Sequence, residues 1–226
     1  MSTFDVLKTK VLFPSTEHTI AGEYLSSFEY PWQALTGLGD LIRALGERLP
    51  TDEYDRVGES IWIAKSATVA PTAALDGPCI IIGPHATVRH CALLREKVII
   101  GAGVNVGHCT GIKNSILFDE VQVPHYTYVG DSILGYRSHQ GGSALSSNLK
   151  SDKSNVTIAV GTERLDTGRM KCGAMLGDYV EIGAGAVLNP GTVIGRNSNI
   201  YPLSSVRGVV PANSIYKCQG EVAQKQ

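Results

Sequence analysis

One histidine stands apart in a chain whose side chains mostly suit packing. His125 lies in the run Val123-Pro124-His125-Tyr126-Thr127-Tyr128-Val129-Gly130-Asp131, between two members of a regular aliphatic beat. An imidazole exchanges protons near neutral pH, so this residue reads either as a solvated corner or as a proton carrier. His85, His90 and His108 raise the question of a metal. His85 and His90 show the spacing H-x-x-x-x-H, but no third histidine lies at a suitable distance upstream, and no metal is expected. The five cysteines, Cys79, Cys91, Cys109, Cys172 and Cys218, form no C-x-x-C pair. They read as reduced, small, mostly buried side chains of a cytoplasmic protein.

The elements that would position His125 follow from periodicity. Aliphatic residues fall every six positions at Ile63, Val69 and Leu75. After a one-residue slip they resume at Ile82, Val88, Leu94, Ile100, Val106, Ile112 and Phe118, then Val123, Val129 and Leu134. The beat returns in phase at Leu176, Ile182, Leu188, Ile194, Ile200 and Val206, often with glycine next in sequence. A six-residue period specifies an all-β solenoid in which three hexads make one triangular coil and neighbouring coils share a core. The spacing predicts seven to nine coils between residues 60 and 210.

The phase breaks between about Gly135 and Leu176. Within that break, residues 146–173 are polar and basic, with Lys150, Lys153, Arg164, Arg169 and Lys171, and read as a loop or hairpin projecting from the solenoid. Ahead of the repeats, residues 1–57 form a helical extension. Pro31 suits a helix first turn, and Trp32, Leu35, Leu38, Leu41, Ile42, Leu45 and Leu49 make one apolar face through Leu49. Residues Thr51–Gly58 read as a polar linker. The β-helix proper is expected over 58–210, and residues 211–226 as a cap near Ile215–Cys218 followed by a loose, charged end.

Bulk properties narrow the function. Twenty basic against 21 acidic residues remove the general electrostatic case for nucleic acid or an anionic membrane surface. No run of about 18 apolar residues is present, so no membrane span is expected. The opening Met-Ser-Thr-Phe-Asp-Val-Leu-Lys has no export-signal pattern.

The repeat resembles the hexapeptide-repeat acyltransferases, and most closely the C-terminal acetyltransferase domain of bifunctional sugar-1-phosphate nucleotidylyltransferase/acetyltransferases. The matching stretches are Tyr30-Pro31-Trp32, Val106–Ser115, Val123–Gly135, Ser147-Asn148-Leu149 and Asp166–Asp178, spread over most of residues 30 to 218. The resemblance implies a left-handed parallel β-helix, a homotrimer with sites between neighbouring helices, and acetyl-CoA as co-substrate. It implies N-acetylation of a hexosamine-1-phosphate, a step in nucleotide-sugar precursor synthesis. His125 would be the general base and the Gly142 amide the oxyanion donor. Arg89 and Lys113 match phosphate-binding positions; Tyr128 and Asn148 match contacts to the sugar phosphate and its acetamido end. Lys150 and Lys153 are additional anion contacts. The Gly-rich nucleotidylyltransferase half has no counterpart before residue 57.

Two departures bear on the acceptor. His139 stands where the family usually carries asparagine, and is expected to face either substrate or a neighbouring subunit. No aromatic residue follows Asn148. Glucosamine-1-phosphate and galactosamine-1-phosphate are both expected acceptors. The rival reading is a non-catalytic module that binds sugar phosphates or nucleotides, or that serves as partner to a separate nucleotidylyltransferase.

Overall fold

The computed structural model describes residues 2–218 and 221–224. The hexad beat builds a parallel β-helix with three faces. On one face the strands Thr68–Val69, Thr87–Val88, Asn105–His108, Gln122–His125, His139–Gln140, Glu181–Ile182, Asn199–Ile200 and Ser214–Cys218 stack in order. The other two faces form one continuous sheet, because Ala74–Ile82, Leu93–Ile100 and Gly111–Leu117 bend around a corner without a break. Register puts Val88 on Val106 and Val106 on Val123, and puts Leu94, Ile112 and Val129 in one column. These inward side chains are 0–1% exposed. Each coil therefore packs its inward side chains on those of the coils above and below.

Two details of the beat differ from the spacing read in the sequence. Register pairs Ile100 with Leu117 and Leu117 with Leu134, so Leu117, not Phe118, points inward. Phe118 is buried instead against Phe13 of the extension, ring centroids 5.3 Å apart. Nor does the phase break at Gly135. Gln140 and Ser146 hold the next two inward positions, in columns otherwise filled by Val123 and Ile182, and by Val129 and Leu188. Both are fully buried and satisfy one another: Ser146 Oγ donates to Gln140 Oε1 at 2.8 Å. Gln140 Nε2 donates to the Tyr128 and Ala144 carbonyls at 3.1 Å. A polar side chain can replace an aliphatic one only when its donors and acceptors are paired in this way.

The excursion leaves after Ser146 and returns by Cys172. It contains the antiparallel hairpin Thr157–Val160 with Glu163–Asp166, anchored by the buried side chains of Val156 and Ile158. Burial pushes the Cys172 thiol up to about 12, so this cysteine is an inert packing residue.

The N-terminal extension is helical, but the single helix read over residues 31–49 is two. A 3-10 turn covers Pro31–Leu35, with Pro31 in its first turn, and an α-helix covers Leu38–Gly46. Gly46 ends against the Trp62 ring, where a Cβ would lie 2.4 Å from ring carbon, so the helix packs there only with glycine. Trp32, Leu35, Leu38 and Ile42 are buried. The extension covers one face of the helix, where outward Ile81, Ile99, Ile116, Ile133 and Val193 are as buried as the inward residues beside them.

The expected linker at Thr51–Gly58 is not one. Tyr54–Gly58 pairs antiparallel with Ile61–Ala64 and closes the first coil. Its polar residues sit at a sheet edge, which otherwise exposes unpaired backbone groups. At the far end Glu221–Gln224 pairs antiparallel with Ser214–Cys218, so the tail is a hairpin cap as far as Gln224. The last two residues of the expected loose end lie outside the described residues. Among the described residues no helix is long and apolar enough to cross a membrane.

Candidate active site

The site begins at a corner. Cys91, Cys109, Tyr126 and Ser143 occupy the same turn in successive coils, each with left-handed φ between 48° and 61°. The residue before each is His90, His108, His125 and Gly142. Hydrogen bonds from the turn residue's amide to the His90, His108 and His125 carbonyls fix that stacking. His108 and His125 are register partners with ring centroids 5.0 Å apart, and Tyr126 meets the His108 ring edge-on at 4.9 Å. His90 Nδ1 lies 2.9 Å from Thr72 Oγ1.

The histidine column ends at Gly142. A Cβ built there would sit 3.3 Å from His125 Cδ2, so glycine keeps the space beside the imidazole open. Its amide donates to no other described residue. Half-buried Gly142 thus leaves an unbonded N–H one rung from the exposed His125 imidazole. His85 stands at a different corner, its amide bonded to Ser66 Oγ. Among the described residues no group of three or more His, Cys, Asp or Glu could hold a metal ion.

From that corner a groove of about 660 Å³ runs over the later coils. Gly141 and Gly183 form its floor. His125, Gly142 and Pro202 line one wall; His139, Glu181 and Asn199 line the other. His139 Nδ1 lies 2.8 Å from Glu181 Oε2. Sequence reasoning did not single out Glu181, because 42 positions and the excursion separate it from His139. The 18- and 17-residue steps from His90 to His108 to His125 were the readable sign of the histidine column, since they equal one coil.

Across the same turn, on the neighbouring face, a second group forms around Asp131. Its carboxylate is buried and accepts short bonds from two amides, Asn114 Nδ2 and Asn148 Nδ2, both at 2.6 Å. Lys113 Nζ lies 3.5 Å from Asp131 and 3.1 Å from Glu96; Arg169 Nη2 lies 3.8 Å from Asp131. Tyr128 Oη is 3.5 Å from Asn148 Nδ2. Lys113, Tyr128 and Asn148 are thus brought together, and Tyr128 lies three residues past His125 along the chain. Arg169 joins them from the excursion and is tied to the extension through Thr36 Oγ1 at 2.7 Å.

The remaining expected residues are placed elsewhere. Arg89 is exposed on the groove face, bonded to Asn105 Oδ1 at 3.3 Å. It lies two coils before His125, or about 10 Å along the axis. Lys150 is engaged within the excursion by Asp152 at 3.6 Å and Ser154 at 2.5 Å. Lys153 occupies an exposed turn with φ 57°. Neither lysine lines the groove or the Asp131 group.

Comparison with known proteins follows the same division of the chain. The GMPPB C-terminal domain family matches residues 75–156. A bifunctional sugar-1-phosphate nucleotidylyltransferase/acetyltransferase of Sulfurisphaera tokodaii is 32% identical over 153 residues, covering 68% of this chain and 37% of its own length. The bifunctional protein GlmU of Methanococcus vannielii is 36% identical over 119 residues, 53% of this chain and 27% of its own. The chain thus spans about a third of the length of these curated relatives. Among solved structures, the acetyltransferase domain of PglB from Neisseria gonorrhoeae in complex with acetyl coenzyme A is 18% identical over 69% of this chain and 53% of that one, with TM-score 0.36. The chain is a hexapeptide-repeat β-helix homologous to the C-terminal acetyltransferase part of the bifunctional sugar-1-phosphate nucleotidylyltransferase/acetyltransferases.

Proposed function

We propose that the protein is an acetyl-CoA-dependent N-acetyltransferase acting on a hexosamine-1-phosphate in the cytoplasm, as a homotrimer whose neighbouring subunits close the sites. The observation that carries this reading is the exposed His125 imidazole beside the unbonded Gly142 amide, at the head of a groove. His125 takes a proton from the attacking amine as the nitrogen bonds to the thioester carbonyl. The Gly142 N–H receives the charge that develops on the carbonyl oxygen. Collapse of the tetrahedral intermediate breaks the carbon–sulfur bond, and the imidazolium returns its proton to the departing thiolate.

The acceptor's phosphate requires fixed cations while the amine reacts. We assign one of these to Lys113, which lies against Glu96 and Asp131. Tyr128 and Asn148 complete that side, while Arg89 would have to reach from two coils away. The test is release of CoA thiol from acetyl-CoA with glucosamine-1-phosphate, galactosamine-1-phosphate and the corresponding 6-phosphates. Turnover with a 1-phosphate above the 6-phosphates supports the reading. A chain that binds acetyl-CoA but transfers to none of them is the non-catalytic module.

A further inference from the structure

We propose that His108 and Tyr126 form a ring shelf that holds the His125 imidazole in its reacting orientation, so that His108 is a positioning residue for the transfer. This rests on the proposed reaction and adds to it a residue to which the family resemblance assigned no role. His125 is exposed, and an exposed side chain exchanges among rotamers unless a neighbour fixes it. The later coil leaves that neighbour out. A Cβ at Gly142 would meet His125 Cδ2 at 3.3 Å, in the space where amine and thioester have to approach the ring. Support for the imidazole therefore has to come from the earlier coil.

The register supplies it there. His108 is the partner of His125 one rung earlier, and the two rings lie 5.0 Å apart between centroids, tilted by 42°. Tyr126 meets the His108 ring edge-on, at 4.9 Å and 83°, and its amide donates to the His108 carbonyl at 3.1 Å. Coil-to-coil repetition alone does not account for this grouping. His90, the next histidine down the column, turns to Thr72 Oγ1 at 2.9 Å. Cys91, Cys109 and Ser143 hold the corner position of Tyr126 in neighbouring coils with small side chains. Tyr126 puts a large ring at that left-handed turn, with φ 48°, and leaves it 60% exposed, so the ring is not there for the core. A ring contact of this kind shifts a rotamer equilibrium by about two- to tenfold. That shift matters for a base that has to meet an amine within hydrogen-bond reach.

Steady-state CoA release with a hexosamine-1-phosphate, beside NMR of protein 13C-labelled at histidine, tests the shelf. His108→Ala should lower kcat about three- to tenfold, with KM for both substrates and the melting temperature unchanged. His108→Phe, which keeps the ring surface and loses both nitrogens, should recover most of that loss. Tyr126→Ala should give a smaller loss of the same kind. In the His125→Ala background, His108→Ala should change the residual rate by less than about twofold, since His108 acts only through the imidazole. With no substrate present, the order parameter of the His125 Cδ2–Hδ2 bond should drop in His108→Ala and return in His108→Phe. Equal losses for the Ala and Phe variants, a loss in KM, a further loss on top of His125→Ala, or unchanged order at His125 would each overturn the inference. Unaltered protein that transfers to no aminosugar phosphate overturns the proposed function, and the NMR comparison still decides the shelf.

Discussion

Two faces of the β-helix share one kind of inward column and differ in what lies outside it. Under the extension, the outward positions are Ile81, Ile99, Ile116, Ile133 and Val193, all buried. On the groove face they are Asn105, Gln122, His139, Glu181 and Asn199, and no layer of the described residues covers them. The same backbone thus serves stability where both sides of a strand are dry and leaves a polar surface where one side stays wet. A fully buried aliphatic side chain contributes roughly 1.5–3 kcal/mol, so the covered face carries much of the fold. The groove face can hold an exposed histidine, glycines and an imidazole–carboxylate hydrogen bond because it does not carry that burden.

The comparison can be broken by substitutions. Ile116→Ala, outward but under the extension, should cost about 2–5 kcal/mol, whereas Asn199→Ala on the groove face should stay within about 0.5 kcal/mol. Chemical denaturation of the two variants checks this, and equal costs would contradict the division. Within the shared core, Gln140→Val should cost about 1–3 kcal/mol, because Ser146 and the Tyr128 carbonyl lose their partner inside the helix. Adding Ser146→Leu, which restores the aliphatic column, should recover part of it in a double-mutant cycle.

The smallest effect concerns Asp178, buried at another corner, where its Oδ1 accepts the Tyr136 amide at 3.0 Å. Burial holds its carboxyl above the usual range. A carboxyl raised on folding favours the neutral acid, so its contribution grows as pH falls through the raised value and is lost as pH rises. Asp178→Asn, neutral at every pH, should melt above the parent at pH 7, and that gap should close on acidification. A gap that is constant with pH would mean the carboxylate is not strained by its burial.

Much of this was legible in the sequence because the solenoid enforces its period at every inward position. Ile82 through Ile112 and Leu176 through Val206 could be placed without a structure. The period failed where a competing requirement held the same position. Leu117 at the end of its strand and Phe118 just past it are both apolar and both buried, so the slip between them left no mark in composition. Gln140 and Ser146 concealed a coil because a paired polar couple can do an aliphatic pair's work. Tyr54–Gly58 read as a linker because a capping strand is polar for its exposed edge. His125, Gly142, Lys113, Tyr128 and Asn148 came from motif resemblance, and the structure divides them into the two sides of one turn. Glu181 meets His139 only through stacking across the excursion, and Arg169 meets Asp131 only because the excursion folds back, which no local motif records.

Above all else, the proposed function requires that transfer occur at the His125 corner. The direct measurement is steady-state CoA release by His125→Ala with a hexosamine-1-phosphate acceptor, beside its melting temperature and acetyl-CoA affinity. Turnover should fall by about 10²–10⁴-fold, with both other quantities unchanged, since the exposed imidazole holds no part of the core. Turnover within a few-fold of the parent, at equal stability and donor binding, would contradict it.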